Sequence, residues 1–137
     1  MKFKVVEQHH SIKLQAHGRN LEEAFANIAL ALSALMVKKI EDSKEKNIAV
    51  GAQDLKGLLY IFLEEILFLA ETEEFFVSNI QNLTIKKGKG YTLHAILFGD
   101  TKKESYEFLQ QVKAITYNEM EIQEERGKAM VQVVVEI

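Results

Sequence analysis

Apolar residues occupy alternate positions between Ser11 and Ala16. This period of two indicates a strand with one buried and one exposed face. Gly18 then predicts a turn. Asn20 is suited to cap a following helix, and Glu23, three residues later, predicts the reciprocal bond of a capping box. A strand, a turn and a helix start are therefore expected in close succession.

Two longer segments carry apolar residues at helical spacing. The first predicts a helix from residue 21 to about residue 38. The second follows Asp54, a predicted N-cap, and predicts a helix from residue 55 to about residue 70. This second helix is apolar on most sides, so it should lie between layers or present an apolar face to a partner.

The remaining segments carry mainly strand and turn signals. Residues 41–46 predict an exposed loop, and residues 106–109 fit either a helical turn or an edge strand. The fold class expected is α+β, with two helices packed on a mixed, largely antiparallel β-sheet. The predicted strands after the first helix are residues 48–50, 83–85, 91–98, 112–117 and 130–137.

Composition narrows the class of protein. The 137 residues, 47% hydrophobic and 27% charged, suit one folded domain spanning residues 1–137. The absence of cysteine excludes thiol nucleophiles, thiolate zinc sites and disulfides.

The first residues lack a secretory signal pattern, so a cytoplasmic location is expected. Glu64 and Glu65 interrupt the longest apolar run, which predicts a buried helix rather than a membrane span.

Charge argues against direct nucleic-acid binding. The net charge is −3, and only two residues, Arg19 and Arg126, are arginines. The lysine- and glycine-rich residues 86–90 lack the spacing of a phosphate-binding loop and predict a hairpin turn instead. Residues 124–127 similarly predict the turn between the last two strands.

Candidate polar groups are few. His9 and His10 are adjacent, so a strand would place them on opposite faces, one partly buried and one exposed, where they cannot easily share a metal. Lys113 lies in a predicted strand, on the face opposite Val112. Residues 136 and 137 place a side-chain carboxylate and the terminal carboxylate within reach of a common hard cation.

Three segments together resemble the archease family, and the resemblance spans nearly the whole chain. Residues 20–25 and 28–32 are similar to the family's first helix. Residues 54–60 and 64–69 are similar to its second helix. Residues 112–117, followed by Met120, resemble its most distinctive strand.

The resemblance implies a protein without a reaction of its own. Members of this family are cofactors of the GTP-dependent RNA ligase of tRNA splicing. They promote guanylylation of the ligase histidine, help turnover and can relax the nucleotide preference of the ligase. The implied partner is this ligase, with tRNA involved only indirectly and no membrane.

The resemblance also implies a site for a divalent metal such as calcium, formed by Ser11, Glu136 and Ile137. A family run Asp-His-Thr-Ala-Asp aligns with residues 7–11. Glu7 keeps its first acid, Gln8 replaces its histidine, and Ser11 replaces its second acid. Because calcium affinity depends on ligand charge, Ser11 should weaken the site.

Three further polar residues, Glu7, His9 and Lys113, are candidates for the same site. Two other functions remain open. One is a diverged protein-interaction or chaperone-like module that has lost the metal site, which fits the altered acids and the apolar second helix. The other is a small metal-dependent hydrolase, for which an acid and a histidine of the family run are missing.

Overall fold

The computed structural model describes residues 2–137, which form two helices and three antiparallel sheets. The four-stranded sheet has the order β1-β2-β9-β8, the three-stranded sheet β4-β6-β5 and the small sheet β3-β7. The predicted α+β class is confirmed. The elements are β1 (Phe3–Gln8), β2 (Ser11–Gly18), α1 (Leu21–Met36), β3 (Val37–Lys38), β4 (Lys44–Ala52), α2 (Leu55–Glu73), β5 (Phe75–Lys87), β6 (Tyr91–Thr101), β7 (Glu107–Phe108), β8 (Ala114–Glu125) and β9 (Lys128–Glu136).

Both helices contact strands of the two larger sheets. α1 packs on β2, β9 and β5, and α2 packs on β8, β4, β5 and β6. Phe25 of α1 and Phe62 of α2 are fully buried, and their ring centroids lie 6.3 Å apart. One contiguous apolar cluster therefore joins helices and sheets. Neither described helix is long and apolar enough to cross a membrane.

Both predicted N-caps are present. The Asn20 side chain accepts a hydrogen bond from the Glu23 backbone N–H at 2.9 Å, and Asp54 accepts one from the Gly57 N–H at 2.7 Å. The Glu23 carboxylate reaches back to the Arg19 N–H at 3.1 Å, one residue before the position that a capping box predicts. Hydrogen bonds from Arg19 also lower the pKa of Glu23.

Gly18 serves close packing rather than the predicted turn. It is the last residue of β2, and a Cβ atom there would lie 2.5 Å from the Ala24 backbone nitrogen. Only glycine lets the strand end approach the first turn of α1 this closely.

The helix ends differ from the prediction. α1 stops at Met36, not near residue 38, because Val37–Lys38 forms β3 and pairs with Glu107–Phe108 of β7. This pairing also identifies residues 106–109 as containing an edge strand. α2 continues three residues beyond residue 70 to Glu73, and Glu74 in the left-handed conformation ends it. The pairing partner and this C-cap are not visible in local periodicity.

The bounds of several strands also differ from the prediction. β4 begins at Lys44, so the second half of the predicted loop 41–46 is paired with β6. Residues 83–85 belong to the long strand β5. The pairing of β5 with β6 shifts register twice, between Val77 and Asn79 and between Gln81 and Thr84. β8 begins at Ala114 rather than residue 112 and runs to Glu125, and β9 covers Lys128–Glu136 rather than residues 130–137. The predicted turn between them is confirmed, with Gly127 at φ 81°.

Asp100, at the end of β6, anchors the adjoining loops. Its buried carboxylate accepts hydrogen bonds from the Tyr106 hydroxyl at 2.5 Å and from Lys103 Nζ at 2.9 Å. The Thr101 N–H donates to its other oxygen at 2.8 Å. Hydrogen bonds, first from Tyr106 and then from Lys103, hold the pKa of Asp100 well below its usual range.

Candidate functional site

His9 and His10 form the turn between β1 and β2. Gln8 pairs with Ser11 across the hairpin, and His10 has a φ of 60°. Both histidines are exposed, and their ring centroids lie only 3.9 Å apart. The prediction of opposite faces, with one histidine partly buried, was wrong. Strand alternation does not apply to residues in a turn.

Backbone hydrogen bonds fix the last two residues beside this hairpin. Glu136 lies opposite Ser11 in the β2–β9 register. The Ile137 N–H donates to the His10 carbonyl at 3.1 Å, and the Lys113 N–H donates to the Glu136 carbonyl at 2.8 Å. The penultimate and last residues are thereby held between the hairpin turn and Lys113.

These groups line an open cavity of about 610 Å³ at the end of the four-stranded sheet. Glu7 is not among its lining residues. It pairs with Ile12, one position from the Gln8–Ser11 pair, so its side chain lies on the opposite face of the sheet. The cavity is lined by Gln8, His9, His10, Ser11, Lys113, Thr116, Asn118, Glu119, Val134, Glu136 and Ile137.

Lys113 lines the cavity and lies one residue before the start of β8. The predicted strand would place Lys113 on one face with Ile115. Instead, Ile115 is buried in the core while the Lys113 side chain is exposed. Val112 and Ile115 are both buried although the prediction put them on opposite faces, because Val112 and Lys113 precede β8 and strand alternation does not apply to them.

An irregular part of β8 forms another wall of the cavity. The pairing of β8 with β9 is interrupted between Thr116 and Glu121. Within this break, Glu119 has a φ of 52°, and its carboxylate lies 2.9 Å from Lys13 Nζ. Asn118 and Glu119 were not predicted as site residues. A break in long-range register carries no local sequence signal.

The same irregular segment places Tyr117 against α2. The rings of Tyr117 and Tyr60 stack with centroids 4.4 Å apart and planes 7° apart. Burial, followed by the negative charge of Glu64, raises the pKa of Tyr60. The cavity wall is thus connected to the outer face of α2.

The residues expected to hold the metal ion fit a tight calcium site poorly. Of the three residues expected to hold the metal, Ser11 has a neutral hydroxyl, Glu136 has one carboxylate, and the side chain of Ile137 is apolar. Among residues 2–137, no three histidine or acidic side chains are grouped so as to hold a metal ion. Lys113, a basic residue, also lines the cavity. Calcium takes six to eight oxygen ligands and binds more tightly as their negative charge increases.

The cavity combines carboxylate, imidazole, hydroxyl and ammonium groups on a backbone fixed by hydrogen bonds. Most of these side chains are exposed, and the cavity is open to solvent. Such a surface is suited to binding polar groups of another molecule rather than to enclosing a small substrate.

Comparisons with known proteins agree with this fold. The Archease protein family (MTH1598/TM1083) matches residues 3–137. Proteins named archease from Pyrobaculum neutrophilum and Methanosarcina mazei are 38% and 33% identical to this chain. These matches cover 92% and 99% of the chain, and 88% and 96% of the relatives.

Two solved structures are similar as well. Protein 1598 of Methanobacterium thermoautotrophicum has a TM-score of 0.86 at 31% identity, with 99% of each chain covered. A Thermotoga maritima protein, described as an archease and possible chaperone, has a TM-score of 0.65 at 16% identity, with 98% of this chain and 96% of that one covered, and shows the fold alone. With a family match over nearly its whole length, the chain belongs to the archease family.

Proposed function

We propose that this protein is a cytoplasmic, non-catalytic cofactor that promotes guanylylation and turnover of a GTP-dependent tRNA-splicing RNA ligase. Residues 1–137 act as one archease-like domain. The observation that carries the proposal is the family match across residues 3–137. The RNA ligase is the protein partner, and tRNA is involved only through it.

The cavity at the sheet end is the proposed point of action on the ligase. Lys113, Glu136 and Ile137 line it together, and main-chain hydrogen bonds fix their backbone. Fixed polar groups contribute to binding without paying the full entropy of ordering flexible segments. In this role the cavity positions groups of the ligase, and the bond-forming chemistry stays with the ligase.

The proposed metal site is weaker than that implied by the family resemblance. Ser11 stands opposite Glu136, where a carboxylate would supply further negative charge. We propose that a divalent ion such as calcium binds here only weakly. Two observations support this proposal: Glu7 does not line the cavity, and no three histidine or acidic side chains within residues 2–137 are grouped so as to hold a metal ion.

A guanylylation assay tests the ligase proposal. Purified RNA ligase from the same organism is incubated with GTP, with and without this protein, and the rate of ligase–GMP formation is measured. Lys113→Met should reduce the acceleration, whereas Lys89→Met, in an exposed turn away from the cavity, should not. Absence of acceleration by the wild-type protein would contradict the proposal.

A second function is a protein-interaction or chaperone-like role on the same fold. It is favoured by the exposed apolar side chains Ile61 and Phe68 on α2. Co-purification from the source organism separates the two functions. Recovery of another protein without any ligase, together with no effect on guanylylation, would favour this second role.

A further inference from the structure

The outer face of α2 carries an apolar surface next to the cavity already described. Ile61 and Phe68, seven residues apart on one helix face, are 39% and 54% exposed. They line a separate cavity of about 340 Å³ whose edge includes Lys113 and Ala114. Lys113 therefore borders both cavities.

This surface continues past the C-terminal half of α2. Leu67 and Glu71 also line a groove of about 290 Å³, which extends to Phe108 and Leu109. Within the described residues, seven large hydrophobic side chains are exposed, and four of them lie here: Ile61, Phe68, Phe108 and Leu109. Clustering of this kind marks an interaction surface, whereas scattered exposed apolar residues do not.

The charges beside the apolar residues are mainly negative. Glu64, Glu65 and Glu71 line the α2 cavity, and within residues 2–137 none of them forms an ion pair. Lys113 is the basic residue of that lining. At the far end of the groove, Lys102 lies 5.3 Å from the Phe108 ring centroid and 3.6 Å from Glu74.

The mainly negative charge of this surface indicates which kind of molecule can bind there. A symmetric dimer through this face would bring the surface that carries Glu64, Glu65 and Glu71 against the same mainly acidic surface of the second copy, and like charges brought together cost free energy. An anionic lipid surface would be repelled for the same reason. A partner that supplies both apolar and cationic side chains complements the exposed apolar residues and the acidic residues of this surface.

We propose that this surface, formed by the outer face of α2 and Phe108–Leu109, docks an amphipathic helix of a partner protein whose apolar stripe is flanked by lysine or arginine. The apolar side chains enter the groove, and the basic ones pair with Glu64, Glu65 and Glu71. The identification of the RNA ligase as the protein that carries this helix rests on the proposed function. Docking here would place the partner directly beside Lys113 and the sheet-end cavity.

The test measures binding of the purified RNA ligase by calorimetry, in parallel with its guanylylation rate. Two double variants remove the proposed contacts: Ile61→Ser with Phe68→Ser, and Glu65→Lys with Glu71→Lys. Matched controls are Val5→Ser with Val6→Ser, which are 43% and 39% exposed on β1, and Glu121→Lys with Glu124→Lys on β8. Melting temperatures verify that each variant is folded.

Each α2 variant should weaken ligase binding by about tenfold or more, while the controls bind as the wild type does. Added salt should weaken wild-type binding more than that of the Glu65→Lys, Glu71→Lys variant. If the wild type binds and activates the ligase and the α2 variants do so equally well, the docking proposal is overturned and the proposed function stands.

If the wild type neither binds nor activates the ligase, the proposed function fails instead. The surface is then tested with a synthetic amphipathic helix of leucine and lysine. Loss of peptide binding in both α2 variants but in neither control supports the docking surface. Equal binding by all variants, or equal losses in the α2 and β8 charge variants, overturns it.

Discussion

Ser11 and Glu136 lie directly opposite each other on β2 and β9. The next residue, Ile137, is bonded through its N–H to the carbonyl of His10, which closes the turn before Ser11. A hydroxyl thus occupies the place where a second carboxylate would face Glu136. Side chains opposite each other on neighbouring strands lie within contact distance, so the residue at position 11 directly affects the charge of the cavity.

Calcium should therefore affect the wild type little. We expect micromolar calcium to leave its melting temperature nearly unchanged, whereas Ser11→Asp should lose stability in chelator and recover it when calcium is added. At a calcium concentration of about 100 times the Kd, binding would stabilise the variant by about 2.7 kcal/mol. Ser11→Asn is the neutral control. A large rise in the wild-type melting temperature at micromolar calcium would contradict a weakened site.

Asp100 should make stability depend on pH. Its pKa is lowered in the folded protein, first by Tyr106 and then by Lys103, while the unfolded chain titrates near pH 4. Its stabilising contribution is complete above the unfolded pKa and is lost as pH falls towards the folded pKa. The difference in unfolding free energy between the wild type and Asp100→Asn should therefore be constant above about pH 5 and shrink below it. Urea titrations across this range measure it.

The matched control for Asp100 is Glu124→Gln, which changes an exposed carboxylate on β8. This variant should follow the wild-type pH profile. Tyr106→Phe removes the 2.5 Å hydrogen bond and should reduce the dependence. A constant difference between the wild type and Asp100→Asn from pH 6 to pH 3 would contradict the assigned role.

Gly18→Ala should destabilise the fold. The added Cβ would lie 2.5 Å from the Ala24 backbone nitrogen, so the end of β2 and the start of α1 must move apart. We expect a loss of about 1–3 kcal/mol in the free energy of unfolding, the usual cost of overpacking. Gly88→Ala is the control because its added Cβ meets no atom within 4 Å. Equal stabilities of the two variants in chemical denaturation would exclude the steric explanation.

Asp54→Ala should remove the N-cap of α2. The lost hydrogen bond to the Gly57 N–H should lower the free energy of unfolding by about 1 kcal/mol. Asp54→Asn keeps an oxygen acceptor and should retain most of the stability. Urea titrations of all three proteins measure the effect, and an Asn variant as unstable as the Ala variant would count against the cap.

The sequence by itself determined the local features of this fold. Alternation of apolar side chains in β2, helical spacing in α1 and α2, and the caps at Asn20 and Asp54 depend on neighbours within a few residues. These signals were sufficient to predict the α+β class. Three segments taken together were sufficient to recognise the resemblance to the archease family. The residues expected at the metal positions also followed from the alignment of residues 7–11 and the chain end.

Tertiary structure decided what depends on distant partners. The position of Ile137 beside the His9–His10 turn depends on the pairing of β2 with β9, which lie far apart in sequence. The interruption of the β8–β9 register, within which Glu119 lies beside the cavity, likewise has no local sequence signal. The Asp100 contacts are close in sequence, but only the loop conformation after β6 brings Lys103 and Tyr106 onto the buried carboxylate. Packing of α2 on the sheets likewise decides that Ile61 and Phe68 stay exposed. Periodicity reports which face of an element is apolar, but only packing decides which of those faces is covered and which polar groups meet.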